Sequence, residues 1–488
     1  MKRDRTAQWL IAGMALLLLS PTATQVLAAT ADGGAAPGHM EVPDDPYIRV
    51  SPSARVTSPA QVWEHNGFAS IQVNVDSGGN NIVGDAANEP SIAVDPTSPN
   101  RMVIGWRQFD TIASNFRQAG WGYTTNAGQT WTFPGVLEPG IFRSDPVLDV
   151  DSQGNFVYNS LGIPGGDFCT DNFRSGDGGQ SWDAGVFSYG GDKQWMSIDR
   201  SGGDRDGHIY AFWTSFYSCV FGGEFNRSMD GGDSYETPID LTAEPQWGVT
   251  AVGPRGQVYV AGLASTDSGI GLARPSNVTD PGIPITDVNL NGLPRFGTGP
   301  NPGGLLGQVW VAADPTSVTS AGTVHILASV NPPGTDPLDV HFVTSTDGGA
   351  TFSDPERVND DPGTGAWQWF GTMSVAPNGR IDAIWNDTRN DPGGYDSELF
   401  YSYSGDGGLT WSPNVALTPS FNPHIGWPQQ NKIGDYYDMV SDLTGAHVAY
   451  SATFNGEQDV YYLRIESAFV SADDFETGDT SSWDIMQP

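Results

Sequence analysis

The 488-residue chain has little of several things that decide a protein's class. It has only two cysteines, Cys169 and Cys219. Neither lies near the amino-terminal apolar segment, which excludes a lipid-anchored amino-terminal cysteine. One pair is also too few for a disulfide scaffold. The two can form one disulfide or remain two buried thiols. Lysine and leucine are scarce, and no stretch keeps a helical apolar period over a useful length, which argues against a helical fold. After the first 28 residues no apolar run approaches a membrane span. The seven histidines show no zinc spacing. Neither a Gly-x-Ser-x-Gly elbow nor a phosphate loop is present. Basic charge is short too: 22 Lys and Arg stand against 57 Asp and Glu, a net charge of −35. Such a surface repels nucleic acid and anionic membranes. It also repels polyanionic substrates unless basic side chains are gathered locally.

The chain opens with Lys2, Arg3 and Arg5, an apolar run from Trp9 to Leu19, and small residues ending at Ala28. This reads as a secretory signal peptide over residues 1–28, so the expected location is periplasmic or extracellular. Residues 29–60 are small, polar and proline-rich and read as a flexible leader. The rest is rich in Gly, Pro, Trp and Tyr, which suits short strands joined by many turns.

Self-similarity is the main signal beyond that point. One eight-residue turn recurs as "TTNAGQTW" (124–131), "SGDGGQSW" (175–182), "SMDGGDSY" (228–235), "STDGGATF" (345–352) and "SGDGGLTW" (404–411). The starts are 51, 53, 117 and 59 residues apart. The long gap predicts a unit without the turn, around 245–290. Before each turn comes a strand, an Asp/Pro/Gly turn and a second apolar strand, as in "SDPVLDVDSQGNFVYNSL". With "GDYYDMVSDLTGAHVAYSAT" at 434 there are seven units. Seven four-stranded antiparallel units in a row predict an all-β propeller over residues 61–466, with six blades as the alternative. The last unit lacks a strand, and "FASIQVNV" (68–75) is unpaired upstream, so that strand is expected to close the ring. Residues 467–488 form a short tail, too short to fold alone.

Each position of the turn has a local job. The third, Asn126, Asp177, Asp230, Asp347 or Asp406, can accept backbone N–H bonds of its own turn. The glycines permit positive φ, and the aromatic at position eight can pack between blades. These carboxylates are therefore read as structural. The pattern Ser-x-Asp-x-Gly-x-Thr-Trp resembles the Asp-box of bacterial neuraminidase repeats, found in sialidases and other secreted propellers. Five copies cover roughly residues 65–466. The resemblance implies a propeller architecture more than an activity.

In sialidase-like propellers the Asp-boxes lie on the face away from the active site. The resemblance therefore places binding at the opposite face, among the loops between second and third strands and the starts of the inner strands. Cys169 and Cys219 fall in corresponding loops of adjacent units, which favours a disulfide between them. A sialidase needs an arginine clamp for the sugar carboxylate, a Tyr activated by a Glu, and an Asp acid. The candidates are Arg107, Arg143 and Arg389 for the clamp and Asp110 for the acid. Tyr436 or Tyr437, beside Asp435 and with Glu398 or Glu89, would make the pair. No Arg-Ile-Pro motif precedes the first unit, and seven units depart from the six blades of sialidases. Trp195, Trp247, Trp367 and Trp369 stand at inner-strand starts, where they would either stack on sugar rings or pack between blades.

No cofactor is required by any of this. A structural Ca2+ has two candidate places: "DVNLNG" (287–292), an incomplete calcium loop with Thr298 at position twelve, and the carboxylate-rich turn "DRSGGDRDG" (199–207), whose other reading is a polar turn. The expected partner is an extracellular glycan or polysaccharide, with no nucleic acid and no membrane span, and the expected state is a monomer. Three readings stay open: a retaining sialidase-type glycosidase, a non-catalytic carbohydrate- or protein-binding propeller, and a hydrolase or lyase using two carboxylates such as Asp387 and Asp396.

Overall fold

The computed structural model describes residues 45–51, 54–215, 217–220, 222–241, 245–264, 269–274, 285–317 and 322–466. The expected signal peptide, the start of the leader and the 467–488 tail lie outside these residues. Within them the chain is all-β, with a 3-10 turn at Pro164–Gly166 and no α-helix.

Seven antiparallel sheets follow one another along the chain. Blade one is Ala86–Val94, Met102–Phe109, Gln118–Thr124 and Thr132–Val136, paired in that order. The inner strands of blades two to six begin at Ser144, Asp192, Gln246, Trp310 and Gln368. Blade three keeps three strands, its fourth reduced to a bridge between Phe225 and Ile239. Blade four, Gln246–Val288, is the unit without the repeated turn. Blade seven joins both ends of the ring: Phe68–Gln72 pairs with Asp459–Glu466, Ser70 opposite Leu463 and Gln72 opposite Tyr461. The upstream strand thus supplies what the last unit lacks, and the count is seven.

Stacking explains why alternation is weak in the middle strands. Met102–Phe109 is buried at every position because both faces of the sheet meet a neighbouring blade. The outermost strands are short: Glu356–Arg357 has two exposed residues. The repeated turn supports this stacking. In 175–182 the Ser175 and Ser181 hydroxyls donate to the two oxygens of Asp177 at 2.8 and 2.6 Å, and the backbone N–H of Gln180 and Ser181 donate to Oδ1 at 3.0 Å. Asp230, Asp347 and Asp406 are held the same way. Asn126 keeps the Oδ1 bonds and donates Nδ2 to Thr130. The fifth position touches the preceding blade so closely that only glycine fits: a Cβ on Gly408 would lie 2.0 Å from Phe342. The Trp411 ring then meets Phe342 edge-on at 5.2 Å.

Cys169 and Cys219 form a disulfide between loops of blades two and three, with Cα atoms 5.5 Å apart.

Candidate functional site

Every inner strand begins with the same distortion. Glu89, Asp145, Lys193, Trp247 and Phe370 have φ between 45° and 60°, and Gly307 and Gly434 take this place in blades five and seven. The register slips at the same step in blades one, two, three, four and six. A left-handed non-glycine residue costs about 1–3 kcal/mol, so five around one ring are held only by what surrounds them.

In three blades the distorted residue is charged, and these three converge near the axis. Lys193 Nζ lies 2.5 Å from Asp435, 3.4 Å from Asp145 and 4.0 Å from Glu89. Lys432 Nζ reaches Asp435 at 2.6 Å and Glu89 at 3.5 Å. Arg107 meets Glu89 at 3.1 Å and donates to Asn88 Oδ1 at 2.8 Å. Arg117 donates to Ser144 Oγ at 3.1 Å and lies over the Phe142 ring. All of these side chains are buried. A Cβ on Gly434 (φ 104°) would fall 2.7 Å from Glu89 Cγ, so the bare backbone there admits the carboxylate. The hairpin Phe296–Thr298/Asn301–Leu305 covers the cluster. Leu305 N–H donates to Asp435 Oδ1 at 2.7 Å, and Asn301 Nδ2 donates to Gly434 O at 2.8 Å.

The charges set one another. Burial would raise Asp435, but Lys193, Lys432 and Arg107 outweigh it and hold the carboxyl well below its usual range. Asp145 is lowered against burial by Lys193 and Arg107. Glu89 is raised well above its usual range, because burial outweighs Arg107 and Lys193. Asp192 next door is pushed up to about 7 by burial. Burial would lower Lys193, but its surrounding carboxylates raise it. The result is a buried hub of two lysines, two arginines and four carboxyl groups drawn from several blades, in which Asp145 and Asp435 are held ionised by the cations.

Tyr436 belongs to this hub. Its hydroxyl donates to Pro146 O at 2.9 Å, and its ring meets Trp195 edge-on at 5.4 Å. Burial, reinforced by Glu89 and Asp145, drives its phenol well above the usual value, the opposite of what a tyrosinate nucleophile needs. Tyr437 is buried and donates to Ser451 O. Arg107, Arg143 and Arg389 are engaged by different carboxylates. Arg107 holds Glu89, Arg143 holds Glu138 and Asp171, and Arg389 holds Asp387 and Asp360. Asp110 accepts from Arg55 at 2.7 Å, and burial raises its pKa. Glu398, at the start of the third strand of blade six, accepts from Asn390. Trp195, Trp247 and Trp369 are buried. Trp195 packs edge-on against Trp310 of blade five, and Trp369 Nε1 donates to Ser397. Of the Ca2+ candidates, Asp287 sits in the outer strand of blade four, and Asn289 accepts from the Asn291 N–H. Among the described residues no three His, Cys, Asp or Glu side chains are grouped to hold a metal ion.

Trp367 is only partly buried, and it begins an aromatic arc on the same face as the hub. Its ring lies 6.3 Å from Tyr395, Tyr395 lies 5.0 Å from His424, and His424 lies 5.2 Å from Trp427. Tyr395 is exposed and His424 and Trp427 are half-buried. Trp427 is fixed by donation from Nε1 to Pro423 O at 2.8 Å. Exposed Asn390, Asp396 and Gln429 stand in the same loops.

Sequence reasoning passed over Lys193, Lys432, Arg117 and Asp145, although the segments holding three of them were in view as inner-strand starts. The missed signal is scarcity. The chain has three lysines, and the two beyond the leader both lie in the hub. His424 and Trp427 lie in a connection between blades, outside both repeated patterns.

No family model and no curated protein matches the chain. Solved structures do. A Dyadobacter fermentans protein of unknown function is 15% identical with TM-score 0.44, over 82% of this chain and all of that one. A leech intramolecular trans-sialidase is 12% identical with TM-score 0.40, over 65% and 68% of the two chains. The endosialidase of phage phi92 is 9% identical with TM-score 0.44, over 82% and 69%. At these values no argument rests on the likeness, and the chemistry is read from this chain's own residues.

Proposed function

We propose that the chain is a secreted carbohydrate-binding propeller that recognises an extracellular glycan through the aromatic arc Trp367–Tyr395–His424–Trp427, rather than a glycosidase working through Tyr436. The arc carries this reading. Partly exposed rings in a chain of contacts of 5.0–6.3 Å, with amide and carboxylate groups in the same loops, offer stacking faces and hydroxyl partners together. The hub supports the non-catalytic half. Its carboxylates and cations face one another, and Tyr436 is buried with its phenol raised.

The test is calorimetric titration of the purified chain with a panel of neutral and sialylated oligosaccharides, alongside a turnover assay on a fluorogenic sialoside. Saturable binding that falls at least tenfold in Trp427→Ala and Tyr395→Ala, but survives in Asp177→Asn, is expected. Sialic acid release that persists in the arc variants, or absence of saturable binding across the panel, overturns the reading.

A further inference from the structure

The face opposite the arc carries a second feature that the binding reading does not use. A cleft of about 490 Å3 opens between blades three, four and five. It is lined by the first turn of blade three, the first turn of blade four, the end of the third strand of blade four, and the repeated turn of blade five. Three of its side chains are guanidinium groups: Arg205, Arg255 and Arg274. Asp204, Gln257 and Tyr259 supply polar groups beside them.

Three features mark this cluster. The first is charge. In a chain of net charge −35, three of the few cations share one cleft, and among the described residues Asp204 is its one lining carboxylate. The second is pairing. Arg101, Arg143, Arg174, Arg200, Arg227, Arg357, Arg380, Arg389 and Arg464 all form ion pairs. Among the described residues Arg205 and Arg274 form none. Each is instead held by a backbone carbonyl: Arg205 Nη1 donates to Gly256 O at 3.1 Å, and Arg274 Nη1 to Gly348 O at 3.4 Å. A guanidinium has five N–H donors, so this fixes the groups and leaves most of their donors for a ligand. The third is an unmet need. Arg274 Nε and Gln257 Nε2 are buried donors with no hydrogen-bond partner, and such groups cost free energy unless something accepts from them.

We infer that this cleft binds the oxyanion of an acidic sugar, a carboxylate or a sulfate carried on a sugar ring. Guanidinium forks match both anions. The volume exceeds that of a bare ion, and Gln257, Tyr259 and Asp204 suit ring hydroxyls. The cleft lies beside blade four, whose sequence lacks the repeated turn carried on this face by blades one, two, three, five and six.

The test is calorimetry on the full chain at low salt with glucuronate, glucose 6-sulfate, glucose and inorganic sulfate. At least one acidic sugar is expected to bind, glucose not to bind, and Arg205→Gln/Arg274→Gln to weaken binding at least tenfold. Arg174→Gln, near the end of the third strand of blade two on the same face, should leave it unchanged. Whether glucuronate or glucose 6-sulfate binds identifies the anion, and either outcome supports the site. Saturation by neither acidic sugar overturns the inference. So does inorganic sulfate binding as tightly as the sugars, which would mean an adventitious ion only, and so does undiminished affinity in the double variant. Binding of the acidic sugar should persist in Trp427→Ala, which separates this site from the aromatic arc.

Discussion

The hub and the repeated turns use the same side chain in opposite settings. Asp435 is buried and answers to Lys193, more than two hundred residues away, and to Lys432 beside it. Asp347 is exposed, and its carboxylate accepts from Ser345, Ala350 and Thr351, all within four residues. The carboxylate's hydrogen bonds in a turn of the second kind are written within eight consecutive residues, while the turn's glycine and aromatic reach the neighbouring blade. A hub of the first kind forms only when several blades have met. Local bonding therefore marks the repeat, whereas long-range charge compensation marks the closed ring.

The sharpest break of this comparison is Lys193→Met. It strands Asp145 and Asp435 with less compensation in a buried site, and the expected loss is about 3–5 kcal/mol. Urea unfolding at neutral pH reads it. A loss below about 1 kcal/mol would mean that the hub is effectively solvated. Next comes the disulfide. Cys169→Ser/Cys219→Ser frees a 50-residue loop in the unfolded chain and should cost about 2–4 kcal/mol, read in the same way.

A pH series separates two further carboxyls by sign. Asp438 accepts from Ser91 Oγ and Ile92 N–H across the blade one–blade seven contact, and burial pushes it up to about 7. An unfolded carboxyl titrates near 3.9, so the folded form holds this proton more tightly. The stability it lends is full at acid pH and lost as pH rises from about 4 to about 7, and Asp438→Asn should flatten that slope. Asp230 behaves oppositely: the Ser234 hydroxyl and the turn's other donors hold it at about 2. Its contribution is present above about 4 and lost as pH falls toward 2. The smallest effect is expected from Asp406→Ala. It removes bonds that are exposed and screened, and should cost about 1 kcal/mol or less. Thermal unfolding at neutral pH would detect it.

The architecture was legible because its causes are local. The turn spacing gave seven units and the one lacking a turn, and the unpaired "FASIQVNV" gave the closing strand. The hub was not legible because members that pair directly, such as Glu89 and Lys432, are as many as 343 residues apart and share no motif. Glu89 and Asp435 were considered, but as partners of a tyrosine and not of lysines. Trp195 and Trp369 illustrate the other limit. Their positions at inner-strand starts were readable, but which neighbour takes each ring depends on blade packing. Trp367, two residues before Trp369, stays partly exposed.

The pairing of Phe68–Gln72 with Asp459–Glu466 has a consequence for synthesis. A chain made from its amino end must keep its first blade strand waiting until almost four hundred further residues have emerged. Only then can the circle lock and the hub's carboxylates from the early blades meet Lys432. Maturation is therefore gated by Asp459–Glu466, and a nascent chain stalled before residue 459 would hold formed blades with an open seam.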